Sequence, residues 1–106
     1  MKRIILIMMC CLGTLIICSG QEQQAQKLLS EAIYEEEVNG NLDEAIKIYQ
    51  DVLDQFPANR EVAAKSLLHL GLCYEKLGEE QACSAYKDLI ARYPEQKDEV
   101  LLAKNR

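Results

Sequence analysis

One short pattern is written twice in this chain. Gly40-Asn41-Leu42-Asp43-Glu44-Ala45 leads into Tyr49, Val52, Leu53, Phe56 and Pro57, and Gly78 leads into Ala82, Tyr86, Leu89, Ile90, Tyr93 and Pro94. The alanine, tyrosine, aromatic and proline positions lie 37 residues apart in the two copies, and the glycines 38. Self-similarity at this period marks a helical repeat array, in which a unit too small to bury its own apolar face stacks on its neighbour. Such arrays present surfaces for binding rather than pockets for chemistry.

Apolar spacing and punctuation place the helices. A first helix is expected from about Gln23 to Val38, with Ala25, Leu28, Leu29, Ala32 and Ile33 on one stripe. Asn39-Gly40-Asn41 closes it, because Gly and Asn accept the left-handed backbone that ends a helix. The second begins near Asn41, a capping side chain with Glu44 three residues on, and stops at Pro57. Asn59 caps the third, which carries Ala63, Leu67, Leu70, Gly71, Tyr74 and Leu77 and ends at Gly78. The fourth runs from about Glu80 to Tyr93, and a last amphipathic piece spans about 97–105. No β-alternation occurs, so the class is all-α.

Residues 1–20 have the layout of a secretory signal peptide: basic Lys2-Arg3, an apolar run from Ile4 to Cys18, and a small-residue exit at Ser19-Gly20. The run of 15 residues is shorter than the ~20 that span a bilayer as a helix. Simple cleavage would leave Gln21 at the new N-terminus. The rival is Leu15-Ile16-Ile17-Cys18-Ser19, which resembles a lipobox and would make Cys18 an acylated membrane anchor. Ile17 is bulky where that motif takes a small residue, which favours simple cleavage. Residues 21–106 then form one domain, with all 17 acidic residues but only 10 of the 12 basic ones, a net charge of −7. An acidic domain without a basic cluster repels phosphate backbones, so nucleic-acid partners are not expected.

Leu70-Gly71, Tyr74, Gly78, Ala82, Tyr86 and Pro94 resemble the tetratricopeptide repeat, a helix–turn–helix unit of 34 residues. The resemblance implies antiparallel helix pairs, in units of about 24–57 and 59–94, followed by a final helix in a short right-handed superhelix. Small Gly71 and Ala82 would let paired helices approach closely. The longer stretch from Phe56-Pro57 to Leu70-Gly71 is similar to bacterial envelope proteins of the Tol-Pal coordinator and outer-membrane assembly lipoprotein type. In the first unit Ile33 stands at the small position and Glu36 at the tyrosine. There the helices are expected to pack less closely.

No catalytic constellation emerges. His69 and Cys73 share a helix face, but a nucleophile–base pair needs a third orienting group, and a closed zinc site needs four ligands. His69 is expected at the surface, and Cys73 and Cys83 as free thiols packed in the core. Glu35-Glu36-Glu37 and Glu79-Glu80 read as solvated faces, since consecutive helical carboxylates point apart. Phosphate-loop, dinucleotide and nucleophile-elbow motifs are absent from the sequence. The expectation is a non-enzyme with no cofactor and no metal.

The family resemblance implies a groove lined by the first helix of each unit. Carried over by position, it holds Lys27, Ser30, Tyr34 and Glu37, then Lys65, Leu68, Leu72, Glu75 and Lys76. Tyr34, Leu68 and Leu72 lie off their helices' main stripes, consistent with a ligand-facing strip; burial by the final helix is the competing reading. Two functions fit. One is an exported scaffold, periplasmic or envelope-bound, that binds a protein or peptide and is able to self-associate. The other is the N-terminal helical piece of a longer exported protein.

Overall fold

The computed structural model describes the backbone of residues 2–106 and the side chains of residues 20–106. Five helices follow in order: α1 (Lys2–Glu37), α2 (Leu42–Gln55), α3 (Arg60–Lys76), α4 (Gln81–Arg92) and α5 (Lys97–Lys104). The expected boundaries are met within a few residues except at the start of α1, which begins far before Gln23. Between Lys2 and Gln23 the sequence holds no proline and no capping turn, so nothing local stops the helix. The export segment and Cys18 rest on side chains outside those described. Among the described residues no helix is long and apolar enough to cross a membrane.

The punctuation works as local chemistry requires. The Asn41 side chain accepts from the Glu44 amide at 3.3 Å, and Asn59 from the Val62 amide at 3.3 Å. Gly40 (φ 67°) and Gly78 (φ 71°) hold left-handed backbone after α1 and α3, conformations that a Cβ would strain. Phe56 (φ −129°, ψ 46°) and Tyr93 (φ −130°, ψ 52°) leave the helical region just before their prolines, in nearly the same conformation.

Each helix packs on the next, and α3 also touches α1 and α5. One apolar core gathers Leu29, Ala32, Tyr49 and Val52 of the first pair with Val62 and Cys73 of α3. A second gathers Leu67, Leu68, Tyr86, Leu89 and Tyr93 with Ala103 of α5. Neither pair closes its own core; the following helix does. Gly71 is required by a close approach, since a Cβ there would fall 2.7 Å from Tyr86 Cζ and 2.8 Å from Cδ1.

Candidate functional site

The largest departure from expectation is Glu36. Rather than joining a solvated acidic face, its side chain is 2% exposed and collects donors from two neighbouring helices. Tyr49 of α2 donates its hydroxyl at 2.7 Å, Lys76 of α3 donates at 2.9 Å, and His69 Nδ1 lies 2.9 Å away. Tyr49 is fully buried and stacks on the His69 ring, with centroids 5.6 Å apart and planes at 22°. His69 therefore sits in a junction between three helices, and the surface placement is corrected. Glu36 stands one turn after Ala32 on the same α1 stripe as Ala25 and Leu29, the face that meets α2 and α3 rather than water.

The electrostatics follow from this geometry. Burial opposes the charge on Glu36, but hydrogen bonds from Tyr49, Lys76 and His69 outweigh it and hold the pKa below the ordinary carboxylate value. Burial, reinforced by the Glu36 charge, raises the Tyr49 phenol. The Cys73 thiol is pushed up to about 12, by burial first and then by Glu36. A thiol held so far from ionisation is a poor nucleophile. Ligand atoms of Glu36, Glu37 and His69 lie within 4.8 Å of one another. The Lys76 ammonium already balances the carboxylate, so the cluster is a satisfied ion-pair network and not a set of free metal ligands.

The second unit has its own version. Tyr86, one period after Tyr49, donates to Glu75 at 2.9 Å, and Arg106 lies 3.7 Å from the same carboxylate. Arg60 pairs with Glu95 and lies over the Tyr93 ring at 4.9 Å, while its Nη2 donates to the Arg92 carbonyl at 2.6 Å.

The residues expected to share one groove are dispersed. Lys27, Ser30 and Tyr34 line a recess of about 550 Å³ with Glu31, Glu35, Glu44 and Ile48, formed by α1 and α2. Tyr34 is 53% exposed there. Glu37 is exposed beside the Glu36 cluster, and Lys76 belongs to it. Lys65 pairs with Glu61 at 3.1 Å. Leu68 is only 6% exposed and Leu72 half-buried, both packed in the core that includes Ala103, so no open strip joins them to Tyr34. They pack there with Tyr86 and Leu89 of α4 and with Ala103 of the last helix. Cys73 is buried as expected, but Cys83 is exposed, because it faces outward from α4. The tyrosine period of 37 was the available signal for the Glu36 cluster, since a recurring buried phenol needs a recurring acceptor.

No curated protein and no solved structure matches the chain. The family model described as tetratricopeptide repeat matches residues 14–59 and 65–95, which takes in α2, most of α3 and all of α4. With two antiparallel helix pairs, the second brought close at Gly71 and each followed by a helix that completes its core, the chain belongs to the tetratricopeptide repeat family.

Proposed function

We propose that this protein is an exported, non-enzymatic scaffold that binds a segment of a protein partner in the cell envelope. Repeats of this family commonly mediate protein–protein contacts. The observation that carries the reading is the recess around Tyr34. A large aromatic at 53% exposure lies beside half-buried Ile48 and is rimmed by Lys27, Ser30 and Glu31. An aromatic anchor in a polar rim is the usual make-up of a binding hot spot. The envelope placement rests on the signal-like layout of residues 1–20.

Two measurements test this. Intact mass of protein recovered from its native envelope is expected to show an N-terminus at Gln21; a species starting at Cys18 with acyl chains replaces simple export by lipid anchoring. A photo-crosslinker at position 34 is expected to capture a discrete protein that one at exposed Asp54 does not. Equal labelling from both positions rules out the recess as the binding face.

A further inference from the structure

The net charge of residues 21–106 belongs to one half of them. Residues 21–55, from the later part of α1 through α2, hold nine acidic and two basic side chains, a net charge of −7; residues 56–106 hold eight of each. The second half also pairs its charges internally, Arg60 with Glu95, Lys65 with Glu61 and Arg106 with Glu75. In the first half the one carboxylate held in an ion pair among the described residues is buried Glu36, and its partners Lys76 and His69 come from α3. The other eight acidic side chains have only Lys27 and Lys47 as cations of their own half. Such an asymmetry sets up a potential that gathers cations and turns anions away.

The Tyr34 recess lies within this acidic half. Glu31 and Glu35 of α1 and Glu44 of α2 line it against the single cation Lys27, and among the described residues none of these four is in an ion pair. One Glu35 oxygen accepts from the Asn39 amide at 3.1 Å, and the other has no donor among the described residues. Tyr34 supplies an open aromatic ring, and half-buried Ile48 an apolar wall. A cation is drawn to the face of such a ring, and carboxylates beside it add charge-assisted hydrogen bonds. An aromatic among carboxylates from two helices suits a cationic side chain better than a purely apolar one. A second copy of this acidic chain and an anionic lipid surface would both meet repulsion there.

We infer that the Tyr34 recess takes an arginine from a basic segment of a partner protein. The planar guanidinium stacks on the Tyr34 ring and donates to the carboxylates of Glu31, Glu35 and Glu44, and a neighbouring apolar residue of the segment rests on Ile48. The field of the first helix pair steers the segment in, so association slows as salt rises. This assignment rests on the Tyr34 recess being the binding face and names the chemistry of what enters it.

Two synthetic peptides of equal length with one leucine, flanked by arginines in one and by glutamates in the other, are titrated against the full chain by fluorescence anisotropy. The arginine peptide is expected to bind about tenfold more tightly or better, with the margin shrinking as salt rises. Tyr34→Leu, which keeps apolar bulk at an exposed site but removes the ring, is expected to weaken it about fivefold or more with circular dichroism unchanged. Glu31→Gln/Glu44→Gln is expected to do the same. Glu79→Gln/Glu80→Gln, an equal change of charge at exposed sites after α3, is expected to leave the affinity within about twofold. Equal affinity for the two peptides, with both lost in Tyr34→Ala, overturns the arginine assignment and leaves the recess as the binding face. Arginine-peptide binding that Tyr34→Ala does not change overturns both. Equal losses from the two glutamine double variants, or a dimer that forms through Tyr34 and excludes the peptide, overturn the assignment as well.

Discussion

The two helix pairs solve the same problem with different chemistry. In each, the second helix's tyrosine donates to a carboxylate of the first helix, and a later residue, His69 of α3 or Arg106 just past the end of α5, approaches that carboxylate. In the first pair the acceptor is buried and Lys76 joins it. In the second the acceptor is one-third exposed, and closeness comes from Gly71, against which the Tyr86 ring lies directly. At the corresponding place in the first unit stands half-buried Ile33. A pair can thus be locked by polar satisfaction of a buried charge or by a missing side chain. The first lock crosses between units, whereas the second acts within one.

Removing the two carboxylates separates these cases most widely. Glu36→Ala leaves the buried Tyr49 hydroxyl without its acceptor and takes the carboxylate away from Lys76 and His69. Breaking such a pair costs about 3 kcal/mol, the low end of the usual range because Lys76 is half exposed. Glu75→Ala is expected to cost about 1 kcal/mol. Chemical denaturation of both variants checks this, and equal losses would mean the junctions are energetically alike.

Gly71→Leu pushes a side chain into the Tyr86 ring, an overpacking that costs about 1–3 kcal/mol. Ile33→Leu, at the equivalent position, is a near-isosteric swap expected to cost under about 1.5 kcal/mol. A thermal midpoint unmoved by Gly71→Leu would show that the second lock does not depend on close approach.

The buried carboxylate also gives the first junction an acid dependence. The folded-state pKa of Glu36 lies below its ordinary value of 4.5, so its contribution is fully present above that pH and is lost as pH falls through the folded value. The stability gap between wild type and Glu36→Gln is therefore expected to narrow in acid. A gap that stays constant from neutrality to below pH 4.5 would contradict the network.

The smallest effect belongs to Arg60→Ala. Its partner Glu95 has a pKa of about 2 through that pairing, but both side chains are half exposed. Water screens such pairs, so the melting temperature should scarcely change. A large drop would make the Arg60–Tyr93 stack a third lock.

The sequence alone determined the repeat period, the helix ends and the class. These depend on short-range chemistry: a capping asparagine reaches an amide three residues on, a glycine accepts positive φ, and a proline removes its predecessor from the helical region. Gly71 and Ala82 were legible as contact points because small size has the same consequence wherever helices cross. Only the tertiary structure decided where Glu36, His69, Leu68 and Cys83 went. A glutamate within Glu35-Glu36-Glu37 looks solvated until donors from two other helices converge on it, and those donors lie 13 to 40 residues away in the chain. Leu68 is buried in the core that α3 shares with α4 and with Ala103 of α5, and Cys83 is exposed because no described side chain covers that face of α4. Helical periodicity tells which residues share a face; what meets that face is set by the packing of other helices, which local sequence does not encode.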